Sequence, residues 1–159
     1  MLEEIKAIAL DVDGVLTDGT FVWGLDGGEY KSFAFLDVMG ISRGKKAGLV
    51  FALISGEASP LVDRFAKKMG IVHVYAGCKD KAAALRDFAQ KLQLDLRQVC
   101  MMGDDVNDVP AMGIAGFSAA PSTAHATALG KARLVTRRGG GQGAVRELID
   151  HLLASPEQG

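Results

Sequence analysis

The sequence predicts an α/β fold, a three-layer Rossmann-like parallel sheet with helices on both faces, and two observations carry that prediction. Short apolar runs of strand length recur along the chain, and segments of helical period lie between them. A strand, a helix and a second strand in succession make a parallel sheet, because the helix carries the chain back across one face before the next strand begins.

In chain order, I5-K-A-I-A-L10 reads as the first strand. The stretch T20-F-V-W-G-L-D-G-G-E-Y-K-S-F-A-F35 breaks the rhythm, since its β-rich arms flank D26-G27-G28, a turn suited to positive φ angles. Residues of about 20–35 are therefore expected to form a β-hairpin flap. It exposes Phe21, Trp23, Tyr30 and Phe33 on a ribbon that cannot bury them alone. Either the ribbon folds onto its own domain or it meets another subunit, and the second is favoured. Helices over 39–47, 59–69, 79–92, 107–112, 122–130 and 143–154 alternate with the strands L49-V-F-A-L-I54, V72-H-V-Y75, V99-C-M-M102, I114-A-G-F117 and L134-V135. G139-G-G-Q-G143 is the loop into the last, docking helix, and S155-P-E-Q-G159 is a frayed tail.

The 159 residues are expected to form one domain, 1–159, large enough to bury a core without disulfide or metal staples. The chain is 48% hydrophobic and 23% charged with a net charge of −1, so it offers neither a basic excess for nucleic acid nor an acidic tail. Acids near the N-terminus and the lack of an apolar run of ~18–20 residues predict a cytoplasmic protein with no membrane partner. Cys78 and Cys100 lack metal-type spacing and read as inert thiols.

In a parallel α/β sheet, ligands bind at the carboxyl ends of the strands. Asp11 and Asp13 follow the first strand, Ser55, Gly56 and Glu57 the next, Lys79, Asp80 and Lys81 a loop after the third, and Gly103, Asp104 and Asp105 the fourth. Each cluster alone reads as a turn or a helix cap, but four on one rim point to a site. Residues i and i+2 on an extended segment point the same way, so Asp11 and Asp13 are expected to face one ligand while Val12 packs inward. Carboxylates this close repel one another unless a cation lies between them. With Asp104, and with Asp108 as a further candidate, they form an all-oxygen site that suits Mg²⁺ better than zinc. Such an ion admits a phosphate dianion, for which Ser55, Lys81 and backbone amides supply donors. The chemistry expected is phosphoryl transfer. The spacing of Gly14 excludes a calcium loop, and Asp18 reads as a turn residue.

These motifs resemble the haloacid dehalogenase superfamily of phosphatases, matched in order by D11-V-D-G-V-L-T17, by Ser55 in L53-I-S-G56, by Lys81 and by G103-D-D-V-N-D108. The resemblance implies that Asp11 is the nucleophile that forms an aspartyl-phosphate. It implies that Asp13 is acid and then base, and that it gives its backbone carbonyl to Mg²⁺. Asp104 completes the metal ligands, Ser55 and Lys81 hold the phosphoryl oxygens, and Asp108 orients Lys81 or a metal-bound water. Gly56 supports the second motif. The stretches from Asp11 to Ser55 and from Ser55 to Lys81 are too short to hold a cap domain. The chain therefore resembles the small tetrameric branch that includes the 3-deoxy-D-manno-octulosonate 8-phosphate and 2-keto-3-deoxynononate 9-phosphate phosphatases. That resemblance implies a homotetramer built through the hairpin, with a neighbour covering the site. R138-G-G-G-Q-G-A-V-R-E147 resembles the branch's Gly-rich segment, which approaches an active site.

The octulosonate enzymes typically carry Arg where this chain has Glu57, Leu36 and Gln142. These losses of positive charge favour a nine-carbon acidic keto-sugar phosphate, with Glu57, Lys68 and Asp37 as the expected substrate contacts. Glu57 reads equally as a charge favouring a helix N-terminus, and His125 equally as a helix cap or a substrate contact. The alternatives are an octulosonate 8-phosphate or broad sugar phosphatase and a non-catalytic oligomerisation module.

Overall fold

Successive side chains of a strand point to opposite faces. In β1 (Ala7–Leu10) all four residues are fully buried, so the strand must be covered on both sides. The structure, a computed structural model describing residues 4–154, shows both layers. The tail expected at 155–159 lies outside the described residues.

Ile8 and Leu10 pack into one core with α1 (Phe35–Lys46), α2 (Pro60–Met69) and α6 (Ala144–Leu153), through Ile41, Val62, Phe65 and Leu148. Ala7 and Ala9 face the other core, where α3 (Lys81–Lys91), α4 (Val109–Ile114) and α5 (Ala126–Lys131) contribute Leu85, Phe88, Met112 and Ala128. The small alanines of β1 let this second helical layer approach closely.

The remaining strands are the hairpin pair β2 (Val22–Trp23) and β3 (Glu29–Tyr30), then β4 (Val50–Ile54), β5 (His73–Tyr75), β6 (Val99–Met102), β7 (Phe117–Ala120) and β8 (Leu134–Val135). Six strands form one sheet in the order β5-β4-β1-β6-β7-β8, with every pairing parallel. From β1 the chain moves outward through β4 to β5, then returns to the other side of β1 and moves outward through β6, β7 and β8. The connections therefore diverge between β1 and β6, and a crevice opens there at the carboxyl ends. The register pairs Leu10 with Leu53 on one side and with Met102 on the other, which brings the residues after β1, β4 and β6 to one level.

Four expectations are revised. The first helix begins at Phe35 and not 39, so Leu36 and Asp37 lie in its first turn. The hairpin ladder is correspondingly short, pairing only Val22 with Tyr30 and Trp23 with Glu29. Phe33 leaves it and stacks on Phe65 with ring centroids 4.5 Å apart, while Phe21, Trp23 and Tyr30 stay exposed. The strand expected at 114–117 lies at 117–120, because Ile114 completes α4 and the Gly116 amide is held by the Leu96 and Val99 carbonyls. Its F-S-A-A sequence has little β preference of its own. The helix expected at 122–130 starts at Ala126, where His125 caps it by accepting the Thr127 amide on Nδ1 at 3.1 Å. Both cysteines are free thiols; Cys100 is buried in β6, and burial raises its pKa.

Helix α6 rests on Leu148, which has no exposed surface. Leu148→Ala should lower folding stability by about 2–4 kcal/mol in urea denaturation. An unchanged midpoint would show that α6 does not close this core.

Candidate active site

After Leu10 the chain must turn sharply to clear the sheet. Asp11 extends the ladder by donating its amide to the Met102 carbonyl at 3.1 Å. Val12, fully buried as expected, then offers its carbonyl to the amides of Val15, Leu16 and Thr17. This compact loop passes through Gly14 at a φ of +89°, where a Cβ would fall 1.8 Å from the Asp104 Oδ2. Only glycine fits both demands. Asp18 is a turn residue, as expected: its Oδ1 accepts the Thr20 amide at 2.9 Å and hydroxyl at 2.6 Å.

The loop that follows β6 approaches the first from the other side. Asp105 caps the short 3-10 turn 106–108, which sets Asp108 beneath its own loop. The Asp108 Oδ2 accepts the amides of Asp104 at 2.8 Å and Asp105 at 3.3 Å. Its Oδ1 faces Lys81, the first residue of α3, whose helix is capped by Asp80. Lys81 Nζ lies 2.7 Å from Asp108 Oδ1 and 3.0 Å from Asp11 Oδ1, and all three side chains are buried. Carboxylate oxygens of Asp11, Asp104 and Asp108 lie within 4.8 Å of one another. Asp13 is paired separately: its Oδ1 meets Lys31 Nζ at 2.6 Å.

Ser55 ends β4 almost fully buried, its amide on the Tyr75 carbonyl and its own carbonyl accepting from Cys78. Its Oγ accepts the Glu57 amide at 3.2 Å, which leaves the hydroxyl proton free to donate. Gly56 lies opposite the Asn107 side chain. Helix α2 is capped by Ser59, so Glu57 stands in the exposed loop ahead of it and not in its first turn. Lys68 lines a groove of about 360 Å³ together with Lys31, Phe33, Phe35 and Arg64. Asp37 is fully buried, and its Oδ1 accepts the Arg146 amide at the start of α6, so it has no exposed surface to offer a ligand in this conformation.

One feature escaped the sequence reading: Lys31, since nothing in its spacing shows that the hairpin folds its return arm onto Asp13. The Gly-rich segment does come close to the Asp11 loop. A Cβ at Gly140 would fall 1.9 Å from the Gly14 carbonyl oxygen, and the Gly141 amide donates to the Val15 carbonyl at 3.1 Å.

The electrostatics are unbalanced. Burial, then the negative charge of Asp108, pushes Asp11 well above the usual carboxylate range despite the opposing pull of Lys81. Burial lifts Asp104 to about 6. Burial alone would weaken the Lys81 ammonium, but Asp11 and Asp108 outweigh it and hold its pKa above the ordinary value. One ammonium thus faces three carboxylates. This donor set, all oxygen and short of positive charge, fits a hard divalent cation.

The family profile for haloacid dehalogenase-like hydrolases matches residues 29–148. The chain belongs to that family. Its haloacid dehalogenase-like relatives include the 3-deoxy-D-manno-octulosonate 8-phosphate phosphatase of Escherichia coli K12, 40% identical over 151 residues, 95% of this chain and 80% of that protein. The crystal structure of the corresponding Moraxella catarrhalis phosphatase, in complex with a magnesium ion, a phosphate ion and KDO, superposes with a TM-score of 0.92 at 37% identity. It covers 94% of this chain and 86% of that one. The cobalt-bound Haemophilus influenzae phosphatase gives a TM-score of 0.91 at 35% identity, over 96% of this chain and 89% of that one. The chain is a phosphatase. Phosphatases of this family use Mg²⁺. No helix among the described residues is long and apolar enough to cross a membrane.

Asp104 ionises near 3.8 when unfolded and near 6 in the metal-free fold, so its contribution to stability is full below pH about 4 and is lost as pH rises through about 6. At pH 7 without metal, Asp104→Asn should therefore stabilise the fold by about 1–2 kcal/mol, allowing for screening at a partly exposed group. The gain should vanish below pH about 4, and Mg²⁺ should raise the melting temperature of the wild type far more than that of the variant. Equal Mg²⁺ shifts in both proteins would remove Asp104 from the metal site.

Proposed function

We propose that the protein is a Mg²⁺-dependent phosphomonoesterase for an acidic keto-sugar phosphate of the nine-carbon, 2-keto-3-deoxynononate 9-phosphate type. The observation that carries the phosphoryl chemistry is Lys81 clamped between Asp11 and Asp108 beside Asp104, in the crevice between β1 and β6.

In this reading Lys81 and the Ser55 hydroxyl hold the phosphoryl oxygens, with Gly56 leaving room for the group and Asp108 fixing Lys81. Asp11 attacks phosphorus and forms an aspartyl-phosphate as the P–O bond to the sugar breaks. Asp13 gives its proton to the departing alkoxide and then removes one from the water that attacks the same phosphorus. That second displacement releases phosphate and returns Asp11. Mg²⁺, held by Asp11, Asp104 and the Asp13 backbone carbonyl, would mask the repulsion between the Asp11 carboxylate and the phosphate dianion. Splitting a slow hydrolysis into two displacements is what makes a carboxylate nucleophile useful.

The leaving group is assigned to the groove that holds Lys68 and reaches Lys31, the residue that touches Asp13. Glu57 stands exposed beside Ser55, and supports a polyol chain more readily than a second carboxylate. Leu36 lies against Gly143 of the segment that carries Gln142, so two of the three positions lacking Arg adjoin one another. The eight-carbon substrate is the second reading, favoured by the 40% identity to an octulosonate 8-phosphate phosphatase. The exposed Phe21, Val22, Trp23, Leu25 and Tyr30 support a homotetramer through the hairpin, with a neighbouring subunit completing the cover of a site that has no cap domain.

A panel of phosphorylated eight- and nine-carbon keto sugars, compared by kcat/KM with and without Mg²⁺, tests the substrate. The nine-carbon ester should be preferred and activity should disappear on chelation; a preference for the eight-carbon ester would reverse the substrate reading. Asp11→Asn should lower kcat by about 10³-fold or more while keeping the wild-type circular dichroism. Full activity in that variant would remove Asp11 as nucleophile.

A further inference from the structure

Lys31 is a charged group at the site to which the reaction scheme gives no chemical task. Its side chain has no exposed surface, and Asp13, its partner at 2.6 Å, retains 24%. An exposed ion pair would contribute little and signify little. A buried ammonium is different, because without its carboxylate it would be an uncompensated charge, so the pair is held in place by the cost of breaking it. The opposite hairpin arm adds a second hold: Nζ lies 4.6 Å from the centroid of the Phe21 ring. Phe21 precedes β2 and Lys31 follows β3, so the two arms meet at the ammonium at the open end of the hairpin.

We propose that Lys31 is a positioning residue for Asp13: the hairpin delivers a buried ammonium that fixes the carboxylate toward the leaving group. Lys31 holds Oδ1 and leaves Oδ2 open: as the ester binds, Oδ2 takes a proton from solvent, passes it to the departing oxygen and, a carboxylate again, accepts one from the attacking water. The hairpin is then a working part of the site as well as an apolar surface. This proposal rests on the reading of Asp13 as general acid.

General acid catalysis matters most for a poor leaving group. Phenyl phosphate and p-nitrophenyl phosphate differ chiefly in the basicity of the oxygen that leaves, and kcat/KM reports events up to its departure. Lys31→Met keeps the apolar stem and removes the charge. It should lower kcat/KM on phenyl phosphate about tenfold more than on p-nitrophenyl phosphate, with KM for both little changed, and Lys31→Arg should recover most of the loss. Lys31→Gln is the second uncharged variant, read in its place if Lys31→Met lacks the wild-type thermal transition. Asp13→Asn is the control and should show the same discrimination more strongly. If Asp13→Asn discriminates while the uncharged Lys31 variants lose both substrates equally or lose neither, Lys31 has no part in positioning. If Asp13→Asn itself fails to discriminate, the reading of Asp13 falls, and the proposal with it.

Discussion

The contact on which the rest of the site depends is Lys81 held between Asp11 and Asp108. Three carboxylates with oxygens inside 4.8 Å would drive their loops apart in the absence of positive charge. The ammonium neutralises part of that repulsion from one side, and it leaves a deficit that a divalent cation fits. Asp108 makes the arrangement rigid, because one oxygen grips Lys81 while the other binds the amides of Asp104 and Asp105. The loop after β6 is thereby tied to α3 by a single side chain. A site short of positive charge is strained before it binds anything, which is a common state for groups preorganised to take a metal and a phosphate.

The fold supplies this geometry at the place where its connections diverge. Asp11 and Asp104 come from neighbouring strands, β1 and β6, and Lys81 enters from the first turn of a helix on one face. The opposite face contributes through the Gly-rich segment ahead of α6, whose backbone presses on the Asp11 loop so closely that Gly140 has no room for a Cβ. Glu147 steadies that segment by accepting the amides of Arg137 and Arg138. Asp37 secures the start of α6. Elements remote from Asp11 in sequence therefore bear on the same short loop, and the hairpin adds Lys31 against Asp13.

Much of this was legible in the residues. Asp11, Ser55 and Asp104 announce themselves because each follows or closely trails an apolar run, Lys81 comes one loop after another, and the strand-to-helix rule places them on one rim. What stayed hidden was set by tertiary contact. Lys31 sits in a hairpin arm where a lysine ordinarily faces water, and only the folding of that arm onto the Asp11 loop reveals its partner. Phe33 reads as hairpin surface until it stacks on Phe65 of a helix far along the chain. The strand Phe117–Ala120 has too few branched or aromatic residues to signal itself, and its edges are fixed by hydrogen bonds to neighbouring strands. Asp37 has the residue type of a substrate contact, and only its burial at the start of α6 shows the structural work it does.

In the proposed reaction Asp11 takes the phosphoryl group, so that hydrolysis proceeds by two displacements at phosphorus. The steric course tests this most directly, using a sugar phosphorothioate made chiral at phosphorus with one oxygen isotope and hydrolysed in water of another. Two in-line displacements each invert the centre, so the thiophosphate released should show net retention of configuration. Net inversion would mean that water attacks the ester directly, and would contradict the proposed reaction.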